Sequence, residues 1–205
     1  HALYVTVRPH DLRGQPVGDS RGMTLHESQS LLLEMQAARS EEFIRFIGPV
    51  AQKILKGEGP AWDIDNLLRV YRKVEPGLIR VYADEVTYPL HVIMRYKLEK
   101  AIIADDIPIA ELPIAWNDMM EQYLGIRPSD DKDCVMQDVH WPEGILGYFP
   151  TYSLGAMAAA QIFATAKTAE PGILPGLAQG DFKPLYGWLD KNIRSQGCLY
   201  TPDEL

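Results

Sequence analysis

Cysteine is scarce in this sequence, and its scarcity excludes one class of proteins. Cys134 and Cys198 are the only two cysteines among 205 residues. Two cysteines cannot form the framework of bridges that holds a small disulfide-rich domain together. We expect two reduced thiols, as in a cytosolic protein, rather than a single bridge. The sequence therefore predicts a cytoplasmic protein.

Long apolar runs and clusters of basic residues are also missing. The longest mainly apolar stretch, residues 153–166, is interrupted by polar residues and is too short to span a bilayer. The 20 Lys and Arg residues against 28 Asp and Glu residues give a formal net charge of −8. Because phosphate-rich surfaces bind clustered Lys and Arg, neither nucleic acid nor membrane is expected as a partner.

The common catalytic motifs are absent as well. The sequence has five histidines, but it has no intact HExxH, GxSxG, P-loop or CxxC pattern. Its composition, 46% hydrophobic and 23% charged residues, is that of a folded globular protein. From composition and spacing alone, a non-catalytic helical binding or interaction module therefore competes with an enzyme.

Helical periodicity dominates what is present. Apolar residues at helical spacing predict a helix from Thr24 to about Leu55, with a restart at Ser40, whose side chain suits an N-cap. Further helices are predicted over residues 113–124, 151–168 and 182–194. The predicted fold class is mainly α.

Residues 78–83 do not show helical periodicity. Alternating side chains predict a minor β element over residues 78–83. Asp84 is expected to cap the next helix, but Pro89 follows so closely that this helix would be strained unless it starts later.

Glu27 has two interpretations. With Thr24 as N-cap, Glu27 stands where a capping box places its acidic residue. Alternatively, its carboxylate binds a metal ion from the first turn of a rigid helix. The same oxygens cannot fully serve both purposes.

Arg80 is similarly ambiguous. It precedes the acidic pair Asp84 and Glu85, so it could form a surface ion pair. A guanidinium group also binds a carboxylate with two parallel hydrogen bonds, so Arg80 could hold the carboxylate of a substrate.

A third candidate lies in a loop rich in Gly and Pro. His140 stands beside Trp141, with Tyr148 and Tyr152 close behind. These side chains could form the polar wall of a pocket, or the aromatic residues could simply fix the loop in place.

Together, several motifs resemble those of the Taq-type thermostable metallocarboxypeptidases, in order and over nearly the whole chain. They are His1-Ala-Leu-Tyr4, Arg13-Gly-Gln-Pro-Val-Gly18, His26-Glu-Ser-Gln-Ser30, Ile79-Arg-Val-Tyr-Ala-Asp-Glu85, Gln137-Asp-Val-His-Trp141, Gly147-Tyr-Phe-Pro150 and Tyr152-Ser-Leu-Gly155. The resemblance implies a helical architecture like that of other HExxH zinc peptidases.

The resemblance also implies a metal site. His1 matches the second histidine of the family's HExxH motif, and Glu27 matches its third ligand. The implied cofactor is zinc, with cobalt as an alternative. His26, next to Glu27, is expected to support the ligands rather than bind the metal itself.

For the substrate, the resemblance implies peptides with a free C-terminus. Arg80 is the expected anchor for the C-terminal carboxylate, and His140 with Tyr148 or Tyr152 is expected to bind substrate or stabilise the oxyanion. The family also suggests a homodimer.

The match further suggests that residues 1–205 are a single fragment, the C-terminal catalytic region of a longer metallocarboxypeptidase. The first zinc histidine and the general-base glutamate would precede His1, so the chain by itself is expected to be inactive. Cys134 departs from the pattern, because the family usually has Gly there.

Overall fold

α-Helices account for most of the structure, a computed structural model that describes residues 1–201 and 204. In chain order they are α1 (Ala2–Val7), α2 (Gly22–Leu31), α3 (Glu41–Leu55), α4 (Ile64–Tyr71), α5 (Tyr88–Ile103), α6 (Leu112–Leu124), α7 (Pro150–Ala169), α8 (Ile173–Leu177) and α9 (Lys183–Asn192). Short 3-10 turns lie between several of them. The prediction of a mainly α fold is confirmed.

The chain divides into two compact units, of which the first contains His1–Tyr71 and Leu154–Leu205. Its core is one hydrophobic cluster to which α1, α2, α7, α8 and α9 all contribute. Tyr4 is completely buried in this cluster, together with Leu177 and Leu189. Burial of Tyr4 fixes the short helix α1, and with it the position of His1.

The second unit contains Arg72–Ser153. Helices α5 and α6 share a core in which Met94, Leu98, Trp116 and Met120 are each no more than 1% exposed. A smaller cluster, formed by Ala83, Tyr88, Val92 and Phe149, adjoins the loop that carries His140. This unit therefore gives the polar residues of that loop a rigid base.

The predicted β element over residues 78–83 is wrong. Arg80–Tyr82 form a 3-10 turn, and the described residues contain no strand. The amide side chain of Gln137 takes the place of a neighbouring strand: its Oε1 accepts the Arg80 N–H at 2.9 Å, and its Nε2 donates to the Leu78 carbonyl at 3.1 Å. The backbone groups are thus satisfied without a sheet.

The predicted helix boundaries are partly correct. The helix expected from Thr24 to Leu55 is divided into α2 and α3, with a π-helical turn at Leu32–Ala37 between them. Ser40 is confirmed as the N-cap of α3, because its Oγ accepts a hydrogen bond from the Phe43 N–H at 3.3 Å.

The start of α5 explains how Pro89 is tolerated. Asp84 caps a preceding turn, where its Oδ1 accepts hydrogen bonds from the N–H groups of Val86 and Thr87, both at 2.9 Å. The helix itself begins at Tyr88, so Pro89 lies in its first turn, where no backbone N–H is needed.

Both cysteines are free thiols, as predicted. Cys134 is buried, and its Sγ lies 3.1 Å from Oδ1 of Asn117. Within the part of the chain that the structure describes, no helix has the length and apolar character required to cross a membrane.

Candidate active-site residues

His1, His26 and Glu27 come together in the first unit and are called the His1 cluster below. His1 precedes α1, whereas His26 and Glu27 lie on α2. Nε2 of His1 lies 3.6 Å from Oε2 of Glu27, and Nδ1 of His1 lies 2.5 Å from Nδ1 of His26. The imidazole rings of the two histidines stack, with centroids 4.6 Å apart. The residues predicted to form and support a metal site are therefore neighbours.

Tyr4 ties the starts of the two helices together. Its hydroxyl oxygen accepts a hydrogen bond from the N–H of Arg21, the residue that precedes α2, at 3.2 Å. Its ring also lies against His26, with centroids 5.5 Å apart. Burial raises the pKa of Tyr4, so it remains a neutral phenol at physiological pH. This contact holds the His1 end of α1 against α2.

The capping-box interpretation of Glu27 is wrong. Helix α2 already begins at Gly22, so Thr24 lies inside the first turn and is not the N-cap. Glu27 is only 8% exposed, and its Oε2 accepts a hydrogen bond from Ser30 Oγ at 3.1 Å. The same oxygen is the one nearest to His1. The carboxylate is therefore oriented by the next turn of its own helix, toward His1.

The His1 cluster fits part of a zinc site. Zinc binds His nitrogen and carboxylate oxygen at about 2.0 to 2.2 Å, so two such donors in a tetrahedral site are roughly 3.3 to 3.6 Å apart. Nε2 of His1 and Oε2 of Glu27 have this separation. His26 contacts the other ring nitrogen of His1, which is the usual place for a residue that orients a ligand. Among residues 1–201 and 204, no group of three His, Cys, Asp or Glu side chains could hold a metal ion.

Burial influences the charge of His26. It lowers the pKa of His26. A neutral imidazole can accept or donate a hydrogen bond at the shared Nδ1 contact, as the tautomer of His1 requires. His26 is therefore suited to fix His1 in the form that leaves Nε2 as an electron-pair donor.

Gly155 on α7 explains how α2 and α7 approach each other behind Glu27. A Cβ atom at position 155 would lie 3.0 Å from Cβ of Glu27 and 3.2 Å from the Thr24 carbonyl oxygen. Real Cβ atoms rarely make contacts this short, so the close packing depends on glycine. Gly155 therefore helps to set the position of Glu27.

The second unit contains a buried group of charges, Arg80, Arg95 and Asp138, called the Arg80 cluster below. Nε and Nη2 of Arg80 both donate to Oδ1 of Asp138, at 3.0 and 2.8 Å. Nε of Arg95 donates to Oδ2 of Asp138 at 2.6 Å. The remaining nitrogen of Arg80, Nη1, donates to the Tyr88 hydroxyl at 2.9 Å. Arg80 is 6% exposed, so the ion pair is buried rather than at the surface.

The charges of this cluster are mutually stabilised. Burial alone would raise the pKa of Asp138, but the two guanidinium groups outweigh it and lower that pKa. Burial lowers the pKa of Arg95 to about 10, against the opposing effect of Asp138. At neutral pH the cluster therefore contains two cations and one anion.

His140, Tyr148 and Tyr152 lie together beside the Arg80 cluster. His140 Nε2 and the Tyr152 hydroxyl are 2.9 Å apart, and the Tyr148 and Tyr152 rings have centroids 5.2 Å apart. The guanidinium carbon of Arg80 lies 4.7 Å from the centroid of the Tyr152 ring. Burial lowers the pKa of His140, so its imidazole is neutral at physiological pH. The predicted anchor and the predicted pocket wall are thus in one place.

Sequence reasoning missed a polar stripe on α5. His91, Arg95 and Glu99 follow one another at four-residue spacing and are all buried. Glu99 accepts hydrogen bonds from Trp141 Nε1 at 2.8 Å and from the Gly147 N–H at 2.5 Å, so it holds the loop that carries His140. Three ionisable residues at this spacing lie on one helix face, and that pattern was visible in the sequence.

Comparison with known proteins identifies the family of the chain. A model of the carboxypeptidase Taq (M32) metallopeptidase family matches residues 1–205. The chain is 40% identical over 202 residues to thermostable carboxypeptidase 1 of Thermus thermophilus, covering 98% of this chain and 39% of that protein. It is 38% identical over 205 residues to carboxypeptidase 1 of Bacillus subtilis, covering 98% of this chain and 40% of that protein.

Comparison with solved structures also finds metallocarboxypeptidases. Metallocarboxypeptidase 1 of Trypanosoma cruzi superposes with a TM-score of 0.87 at 40% sequence identity, covering 98% of this chain and 42% of that one. The chain thus spans about two fifths of the length of the relatives that it matches. Since the family match extends over the entire sequence, the chain belongs to the carboxypeptidase Taq (M32) metallopeptidase family.

Proposed function

We propose that the protein containing this chain is a zinc-dependent carboxypeptidase that releases C-terminal residues from peptides, with cobalt as an alternative metal. The observation that carries the proposal is the 3.6 Å separation of His1 Nε2 and Glu27 Oε2, in a chain of a metallopeptidase family. A metallopeptidase needs a metal centre, and a carboxypeptidase also needs an anchor for the terminal carboxylate. Each compact unit offers residues for one of these two needs.

In the proposed metal site, His1 and Glu27 are ligands and His26 orients His1. When bound, zinc lowers the pKa of its water ligand and polarises the scissile carbonyl. Ser30 keeps the Glu27 carboxylate turned toward His1 through its 3.1 Å hydrogen bond. His1 directly precedes α1 and Glu27 lies on α2, so their convergence depends on the packing around Tyr4.

In the proposed anchor, Arg80 holds the C-terminal carboxylate of the peptide. A guanidinium group has five N–H donors, and the hydrogen bonds to Asp138 and Tyr88 use three of them. The charge of the cluster favours this ligand, because two arginines share the single carboxylate of Asp138. A free carboxylate would supply the missing negative charge, whereas a C-terminal amide would not.

His140, Tyr148 and Tyr152 are proposed to bind the peptide and to stabilise negative charge on the scissile carbonyl oxygen. A phenolic hydroxyl and a neutral imidazole are both suitable hydrogen-bond donors for such an oxygen. The 2.9 Å contact of His140 with Tyr152 and the loop contacts of Glu99 hold these groups in place before substrate arrives. For the whole protein we also propose a cytoplasmic, homodimeric enzyme, on the free thiols and on the family resemblance.

The test compares two blocked dipeptides that differ only at the C-terminus, one a free acid and the other an amide. The zinc-loaded protein that contains this chain should cleave the acid and not the amide, and zinc removal should abolish the activity. Arg80→Met should raise KM for the acid strongly. Arg127→Met is the matched control, since Arg127 pairs with Asp118 and Glu121 at an exposed site of the same unit. Equal cleavage of acid and amide, or none of either, would reject the proposal in favour of a different peptidase or of a binding module.

A further inference from the structure

We propose that Arg95 is a positioning residue of the carboxylate anchor: by holding Oδ2 of Asp138, it keeps Arg80 only partly neutralised and fixes the plane of the Arg80 guanidinium. The inference rests on the proposed function, in which Arg80 binds the C-terminal carboxylate of a peptide. Arg95 lies outside the sequence motifs of the site and has 0% exposure, so its influence passes through Asp138.

The division of Asp138 between two arginines is the first observation. Both hydrogen bonds from Arg80 end on Oδ1, at 3.0 and 2.8 Å. An arginine that has a carboxylate to itself normally engages both oxygens with two parallel bonds. Here Oδ2 accepts instead from Arg95 Nε at 2.6 Å, and Arg80 makes both of its bonds to the other oxygen. Arg95 thereby prevents Asp138 from neutralising Arg80 fully.

The rigidity of Arg95 is the second observation. Its Nη1 donates to the His91 carbonyl oxygen on the preceding turn of α5, at 3.0 Å. Its guanidinium carbon lies 4.5 Å from the centroid of the Trp116 ring and 5.6 Å from that of Phe149. A buried guanidinium held by a helix and by aromatic faces has one orientation. Arg95 therefore fixes Asp138, and Asp138 fixes Arg80.

The charge balance is the third observation. Arg80 and Arg95 together carry two positive charges against the one negative charge of Asp138. The neighbouring carboxylate, Glu99, accepts from Trp141 and from the Gly147 backbone, so Asp138 is the carboxylate that both guanidinium groups contact. Excess positive charge in a poorly solvated place attracts an anion more strongly than the same charge in water. Removing the charge of Arg95 would leave Arg80 and Asp138 as a balanced pair.

The test replaces Arg95 with Met and, separately, with Gln and Lys, in the zinc-loaded protein that contains this chain. With a blocked dipeptide acid as substrate, the two uncharged variants should raise KM about tenfold or more, while kcat changes by less than about threefold. Lys keeps the charge but not the planar fork, so it should restore KM in part. Arg127→Met, the exposed control, should change neither constant. Thermal unfolding of each variant is measured in parallel.

The outcomes separate this inference from the proposed function. If the wild-type protein does not distinguish acid from amide, the proposed function fails, and the inference fails with it. If the wild type prefers the acid and a folded Met or Gln variant keeps its KM, the inference alone is overturned. A fall of kcat at constant KM would also overturn it. Should neither uncharged variant fold, Arg95→Lys decides: we expect a KM severalfold above that of the wild type, and an unchanged KM would reject the role.

Discussion

At the scale of single residues, the contact with His26 engages Nδ1 of His1, while Nε2 of His1 faces Glu27. The two Nδ1 atoms lie 2.5 Å apart, within hydrogen-bond contact. When His1 donates at this contact, its Nε2 keeps a lone pair and is directed at Glu27. His26 therefore matters to the proposed metal site although it is not a ligand there.

His26→Phe should lower zinc affinity about 10- to 100-fold, because an orienting hydrogen bond to a ligand contributes about that much. Phenylalanine keeps the ring that packs on Tyr4, so stability should change little. Competition with a chelating dye measures the affinity. The control is His10→Phe at an exposed loop position of the same unit. Equal affinities of the two variants would show that His26 does not orient His1.

Glu27 shows which contacts of a single residue can be predicted from sequence and which cannot. Helix ends in sequence are uncertain by one or two residues, and Glu27 is a capping residue only if α2 begins at Thr24. The helix begins at Gly22, and the capping interpretation fails for that reason alone. The neighbours of Glu27 were predicted from motifs, whereas its contact with Ser30 follows from the helix geometry.

At the scale of elements, the close approach of α2 and α7 should be sensitive to one methyl group. Gly155→Ala would place a Cβ 3.0 Å from Cβ of Glu27, so the atoms around Glu27 must shift by a few tenths of an ångström. Overpacking of this kind costs about 1 to 3 kcal/mol, and the shift should also weaken zinc binding. Urea unfolding and a zinc titration measure the two effects.

Gly187 supplies the matched control. It lies inside α9, and an added Cβ there meets no atom within 4 Å. Gly187→Ala should therefore stabilise the protein by up to about 1 kcal/mol through helix propensity, with zinc affinity unchanged. If Gly155→Ala behaved like Gly187→Ala, the packing of α7 would not control Glu27.

The polar stripe of α5 predicts a pH dependence of stability. Burial, together with the charge of Arg95, lowers the pKa of His91 from 6.5 to about 4. As pH falls from 6.5 toward 4, the unfolded chain binds a proton at this position and the folded chain does not, so stability is lost. Between pH 7 and pH 4.5 the loss from His91 is about 2 kcal/mol, at 1.36 kcal/mol per pKa unit.

Urea unfolding at pH 7 and at pH 4.5 tests this expectation. In His91→Gln the difference in unfolding free energy between the two pH values should shrink by about 2 kcal/mol, because glutamine does not titrate. His10→Gln, at an exposed position, serves as the control and should keep the wild-type difference. An unchanged difference in His91→Gln would mean that folding does not lower the pKa of His91.

Residues 78–83 show a case in which the sequence pattern did not predict the secondary structure. Residues 78–83 alternate in sequence, yet Arg80 and Ala83 are buried while Val81 and Tyr82 are exposed, which is the three-residue period of a 3-10 turn. A strand needs a partner strand, and a single short run cannot reveal whether one exists. The amide group that replaced the partner belongs to Gln137, far along the chain.

At the scale of the whole molecule, the two compact units carry different parts of the proposed chemistry. The first unit holds the His1 cluster, and the second holds the Arg80 cluster with His140 and the two tyrosines. The motifs that resemble the family lie in both units, and they named residues of both clusters in advance. It did not predict Arg95, since this residue acts through packing and charge rather than through a motif.

The 205-residue chain by itself should bind zinc weakly and show no peptide turnover. Within the described residues, no group of three His, Cys, Asp or Glu side chains is placed so that it could hold a metal ion, whereas the structural zinc sites of zinc-finger peptides, which bind with roughly 10 to 16 kcal/mol, have four protein ligands. Calorimetric titration with zinc and a blocked dipeptide acid test both statements. Glu27→Gln should lower the weak affinity further, whereas Glu34→Gln, at a well-exposed carboxylate of the same unit, should not. Nanomolar zinc binding, with turnover that Glu27→Gln abolishes, would show instead that His1 and Glu27 suffice, because solvent can complete the coordination of the metal.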